Sequence, residues 1–132
     1  MGTRRHDVVL AVLLAAALLA AVPAALSAAT AKRSAVPNRF GAIAYHRASQ
    51  SWGVSYDFAR ERDASVQALR QCGHQRCEVI HKFKNGCAVL VDGPMEKAAA
   101  TASGATRDEA ETKALKRCSG PNCNLVAWAC TR

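Results

Sequence analysis

One phrase is written twice in this chain. ALRQCGHQRCEVI (68–80) returns as ALKRCSGPNCNLV (114–126), and Cys72 and Cys77 each lie 46 residues before Cys118 and Cys123. Such a duplication confines the fold to architectures that build one unit twice. The first unit opens with GAIAY (41–45), a short apolar run suited to a buried strand, and continues with WGVSYD (52–57), which alternates as a half-buried strand does. From about Arg60 to Gln71 the period becomes helical. Ala64, Ala68, Leu69 and Cys72 share one narrow stripe, and Arg62, Asp63, Gln67 and Arg70 take the other side. CEVIHKF (77–83) then reads as a strand. The second unit repeats the order with GCAVLVD (86–92), the weaker KAAATASG (97–104), a helix carrying Ala110, Ala114, Leu115 and Cys118 on one stripe, and NLVAWAC (124–130). Thr106 and Glu109 form a capping box ahead of that helix. The predicted class is α+β: two strand–strand–helix–strand repeats, about 41–84 and 86–130, forming one small disulfide-stapled domain.

The repeat narrows the cysteine pairing. Six cysteines allow 15 arrangements. Cys72 and Cys77 flank one helix-to-strand loop, and Cys118 and Cys123 flank its copy. A short reversing loop brings such ends within the separation a disulfide spans, roughly 4.4–6.8 Å. Equivalent positions making equivalent bonds leaves Cys87 with Cys130. Their counterparts in the first unit are read as Ala42 and Lys84, so the third bond belongs to the second unit alone.

The N-terminus reads as a targeting segment. Arg4 and Arg5 precede the apolar run VVLAVLLAAALLAAV (8–22), and small residues follow Pro23 up to Ala31. This is the pattern of a signal peptide over 1–31, with cleavage within 27–31 and the general secretory route preferred to a twin-arginine one. A retained anchor is the alternative, because the run approaches the roughly 17–25 residues that span a membrane. After cleavage no further span is expected. KRSAVPNR (32–39) is a linker or arm, and 40–132 is the domain. An even cysteine count in a small exported chain indicates oxidised pairs, and hence a secreted, periplasmic or envelope location. Seven aromatics in all make a light core that gains from covalent staples, and Trp52 and Trp128 are expected within it.

Cys72, His74, Cys77 and His81 have the residue types of a zinc site, but the repeat replaces the histidines by Gly120 and Ala127 and keeps only the cysteines. No metal or cofactor is therefore expected. With all cysteines paired there is no thiolate nucleophile, and the chain has no G-x-S-x-G turn. A hydrolase using His46 or His81 with an acid is an alternative, and no catalytic residue is assigned. The formal charge of +8 suits an anionic envelope component or an acidic protein face. Nucleic acid fits the charge but not the compartment. The leading expectation is a non-enzymatic protein-binding module, an inhibitor or secreted effector, and a basic envelope-associated structural protein is a further alternative. The residues that the two copies do not share are the candidate binding set: His74, Arg76, His81, Lys82 and Lys84.

GAIAY, WGVSYD, the two helix-loop cysteine pairs, NGCAVL and the closing VAWAC together resemble a bacterial secreted family, domain of unknown function 4189, over about 40–130. The chain departs from it in KAAATASG, where the family has a strand rich in glycine and aromatics. The resemblance implies a small exported, disulfide-linked domain, with a secreted effector or a toxin's protective partner as the suggested roles. It implies no catalytic residues.

Overall fold

The computed structural model describes residues 35–132. The segment read as a signal peptide lies outside them. The elements run β1 (Phe40–His46), a 3-10 turn (Arg47–Ser49), β2 (Ser51–Phe58), α1 (Glu61–Cys72), β3 (Glu78–Lys84), β4 (Cys87–Asp92), β5 (Ala100–Gly104), α2 (Arg107–Arg117) and β6 (Asn124–Cys130). They form two antiparallel three-stranded sheets, β2-β1-β3 and β5-β4-β6. Each unit is therefore one sheet with one helix, and the domain is α+β as expected.

Alternation along the central strands sets the layers. On β1, Ala42 and Ala44 face α1 and pack with Ala64, Ala68 and Cys72. Ile43 and Tyr45 face the other way and meet Ala88, Leu90, Ala127 and Ala129 of the second sheet. On β4, Cys87, Val89 and Val91 turn to Ala110 and Ala114 of α2. The order is helix, sheet, sheet, helix. A strand buried on both faces reads as a continuous apolar run, which is how GAIAY and CAVLV appear in the chain.

The helices lie close to their sheets because alanine is the residue between them. At Gly53 an added Cβ would sit 2.1 Å from the Ala68 carbonyl oxygen, so β2 passes directly beneath α1. That approach leaves no room for leucine in the seam. Leu69 and Leu115, placed on the buried stripe by periodicity, remain 37% and 40% exposed at its flank. On α2 the Thr106 hydroxyl accepts from Glu109 N at 3.2 Å, while Glu109 Oε2 accepts from Ala105 N at 2.8 Å, one residue before the cap.

The disulfides join Cys72 to Cys77, Cys118 to Cys123, and Cys87 to Cys130. Cys87 and Cys130 are direct cross-strand partners of β4 and β6. The register corrects one correspondence drawn from the sequence. Both central strands carry a bulge against their last strand, between Ile43 and Ala44 and between Leu90 and Val91. Aligning these bulges makes Phe40, not Ala42, the counterpart of Cys87, and Phe40 pairs with Lys84. The cause is one extra residue in β2: its pairing shifts between Ser55 and Phe58, where Asp57 is left-handed at φ 63°. The spacing between copies is thus 47 before that bulge and 46 after it.

Candidate functional site

The register also makes Tyr45, the sixth residue of β1, the counterpart of Asp92, the last of β4. Stacking the two sheets brings these counterparts together, and the Tyr45 hydroxyl donates to Asp92 Oδ2 at 2.7 Å. Arg47, two residues beyond Tyr45, donates through Nε to both carboxylate oxygens at 3.2 and 3.0 Å. Its remaining nitrogens donate to the carbonyls of Glu96 at 2.6 Å, Gly93 at 2.9 Å and Met95. Gly93 N donates to Asp92 Oδ1 at 2.8 Å. One arginine thus ties the end of β1 to the end of β4 and clamps the 93–96 loop.

The electrostatics follow from that geometry. Burial pushes the Tyr45 hydroxyl up to about 12, and its bond to the anionic Asp92 acts in the same direction. For Asp92, burial works to raise the carboxyl, but the Tyr45 hydroxyl, the Gly93 N–H and Arg47 outweigh it and hold it below the usual carboxylate value. The group is a neutral frame: a phenol that stays protonated, a carboxylate that stays ionised, and a guanidinium engaged through all three of its nitrogens. None of the three is poised as an acid, a base or a nucleophile.

Two clefts open on either side of this frame. The first, about 430 Å³, lies between Trp52 and Val126 and is rimmed by Gln50, Asn122, Asn124 and the Asp92–Pro94 turn. The second, about 660 Å³, is lined by Tyr45, His46, Arg47 and the Gln75–Glu78 stretch with Ile80. Each is edged by one of the two disulfide loops, so the loops that the sequence repeats present different chemistry at one end of the sandwich. The first-unit loop offers Arg76. The second offers amides, with Asn124 Nδ2 donating to the Asn122 carbonyl at 2.9 Å. The 93–96 turn packs onto the second loop: a Cβ on Gly120 would lie 2.2 Å from Met95 Sδ, and one on Gly93 would lie 3.3 Å from Cys123 Sγ.

The candidate binding residues divide among three places. His74 and Arg76 stand at the second cleft's end of the molecule. The His74 ring stacks on His46 with centroids 4.2 Å apart, and His74 Nδ1 accepts from Arg76 N at 3.1 Å. Lys82 lies on the helix side of β3 and donates to Glu61 at 2.9 Å, and Lys84 is exposed opposite Phe40. His81 points to the other sheet. Its ring contacts Ser103 Oγ at 2.5 Å and Thr101 Oγ1 at 3.0 Å across to β5. Among the described residues no carboxylate is hydrogen-bonded to a histidine. His46 Nδ1 meets Ser49 Oγ at 2.7 Å, but its ring is stacked on His74 and no acid orients it.

His81 is instead a structural group with a pH signature. Burial, and then the positive charge of Arg117, lower its pKa from the ordinary value of 6.5. Because the unfolded chain takes up this proton first, stability is full above pH 6.5 and falls as pH drops through the lower folded value. His81→Gln should flatten this part of the curve, and urea midpoints for the two proteins between pH 7 and pH 5 measure it. Parallel curves would show that His81 contributes nothing to it.

The tryptophans expected in the core are half exposed, Trp52 at 42% and Trp128 at 45%. Both lie on edge strands, where a large ring overhangs the sheet. Trp128 faces α2 and is covered by Arg107, whose guanidinium carbon lies 4.6 Å from the ring centroid. In the first unit the same two positions are Glu61 and Lys82, which form an ion pair. Among the described residues Trp52 has no such cover, and it lines the first cleft. Sequence reading missed Tyr45, Arg47, Asp92 and this role of Trp52. The available signal was an acid closing the apolar run CAVLV at the position where the first copy carries tyrosine.

Residues 40–130 match the family described as Domain of unknown function (DUF4189). Uncharacterized protein Rv1813c of Mycobacterium tuberculosis is 33% identical over 91 residues, covering 69% of this chain and 59% of that protein. The match thus spans well under two thirds of that relative's length. Protein Rv1269c of the same organism is 32% identical, with 69% and 68% covered. The NMR structure of Rv1813c from Mycobacterium tuberculosis superposes with a TM-score of 0.54 at 29% identity, covering 70% of this chain and 74% of that one. The two-unit fold and the match over its whole length place this chain in the DUF4189 family.

Proposed function

We propose that the protein is exported through an N-terminal signal peptide and works outside the cytoplasm as a non-enzymatic binding module. Three disulfides suit an oxidising compartment. Among the described residues no helix is long and apolar enough to cross a membrane. The observation that carries the binding reading is the Tyr45–Asp92–Arg47 frame. Its polar groups are engaged with one another and with the 93–96 turn, and its residues form part of the wall of both clefts. A rigid surface loses little freedom on association, which favours recognition over turnover.

The test is retention of envelope and extracellular material on the immobilised oxidised protein. Saturable retention should survive His46→Ala, His74→Ala and His81→Ala. Trp52→Ala should weaken it by about 2 kcal/mol, the scale of an exposed aromatic anchor. Hydrolysis of an ester, amide or glycoside substrate that disappears with any one histidine would make the protein an enzyme and overturn the reading.

A further inference from the structure

We infer that the Trp52 cleft binds a neutral saccharide unit of a glycan. This rests on the binding-module reading and names the ligand class for one of its two clefts. Four observations converge on it.

The first is the wall. Trp52 is half exposed, lines a concavity and, among the described residues, lacks the cationic cover that Arg107 gives Trp128. An indole presents a negative face and meets best a surface of weakly positive C–H groups, which one side of a pyranose or furanose ring supplies. The second is the rim. Gln50, Asn122 and Asn124 bring primary amides, which both donate and accept as adjacent sugar hydroxyls do, with one Asn124 donor already given to the Asn122 carbonyl. The third is charge. Among the described residues no Lys, Arg or His lines this cleft, and the one carboxylate on its wall, Asp92, is already held by Arg47, Tyr45 and the Gly93 N–H. An anionic ligand finds no counter-charge there, and a cationic one finds a carboxylate whose lone pairs are occupied. A polar, uncharged ligand is what remains.

The fourth observation is the backbone. Four non-glycine residues have positive φ in the described chain, and two of them, Gln50 at 53° and Asn122 at 60°, stand on this rim. Asn122 sits inside the Cys118–Cys123 loop, whose position is fixed by the disulfide and by the clamped 93–96 turn against Gly120. The left-handed backbone at both positions, together with the Asn124 Nδ2 bond to the Asn122 carbonyl, sets where the rim amides start from. The volume of about 430 Å³ falls within the roughly 300–1,000 Å³ typical of small-ligand clefts. The corresponding cleft beside the first-unit loop carries His46 and Arg76 instead, so the copied scaffold yields one neutral and one basic recess.

The experiment is an NMR titration of the ¹⁵N-labelled oxidised protein with maltohexaose, mannohexaose, arabinohexaose and chitohexaose, and with a heparin hexasaccharide as the anionic comparison. At least one neutral oligosaccharide should shift the Trp52 indole N–H and the side-chain amides of Asn122 and Asn124 along a saturable curve, with Kd about 1 mM or tighter. Trp52→Ala should weaken that Kd at least tenfold, and Trp128→Phe should leave it unchanged. Because Trp52→Ala could disturb β2, Asn124→Ala on the exposed rim serves as the second variant and should weaken binding several-fold. The inference is overturned if no neutral oligosaccharide moves these resonances, if only heparin binds, or if the shifts map elsewhere and ignore both substitutions. If retention of envelope material still depends on Trp52 while the oligosaccharides fail, or if the retained component is a protein, the saccharide assignment falls and the binding-module reading stands. If that retention is also absent, both fall.

Discussion

Replacing Cys87 and Cys130 together by alanine should destabilise the domain by about 4 kcal/mol, whereas removing the Cys72–Cys77 pair should cost only about 2 kcal/mol. The first bond closes a sequence separation of 43 residues and the second one of 5, so the unfolded chain regains far more freedom in the first case. The domain as a whole has little bulk to fall back on. The largest fully buried side chains in the domain are Ile43, Leu90, Val89 and Val91, and the rest of the core is mainly alanine. The expected fall in Tm for the Cys87/Cys130 variant is on the order of 20 °C. Thermal unfolding of the two double variants side by side measures it. Equal losses would mean that the length of chain each bond closes does not set its contribution.

Asp92→Ala should cost about 3 kcal/mol, the largest loss expected from any single polar substitution here. The Asp92 side chain is 11% exposed and receives the Tyr45 hydroxyl, the Arg47 guanidinium and the Gly93 N–H. Removing it leaves a buried phenol without its acceptor and a cation against carbonyls alone. Asp92→Asn separates shape from charge, because the amide keeps the volume but cannot accept from all three donors. The pH dependence gives a second check. The folded carboxyl titrates below its ordinary value of 3.8, so its contribution is present above that value and is lost as pH falls through the lower folded one. Acid unfolding of Asp92→Asn should lack this limb. A variant as stable as the parent at pH 7 would show that the frame does not hold the two sheets together at this end.

The order of elements was legible in the sequence because the two periods are distinct. GAIAY and CAVLV are continuous apolar runs, and Ala64, Ala68 and Cys72 recur at helical spacing, as do Ala110, Ala114 and Cys118. Exposure at the edges was not legible. Leu69 and Trp52 have the composition of core residues, and only the approach of α1 over Gly53 and the edge position of β2 leave them outside. The frame was hidden for a different reason. Tyr45 and Asp92 are 47 residues apart and occupy corresponding positions in two copies, so no local pattern links them. They meet because the sheets stack face to face and bring counterpart strand ends together. The bulge at Asp57 concealed that correspondence further by shifting the spacing of the copies by one residue partway through the unit.

The central claim is that recognition resides where the two copies differ, at the Trp52 cleft beside the Tyr45–Asp92–Arg47 frame. The tryptophans provide an internal comparison: their exposures are nearly equal, but one lines the cleft and the other lies under Arg107 against α2. Retention of envelope and extracellular material on the immobilised oxidised protein should be lost with Trp52→Ala and kept with Trp128→Ala. Loss with Trp128→Ala and retention with Trp52→Ala would place recognition on the opposite face and contradict the account.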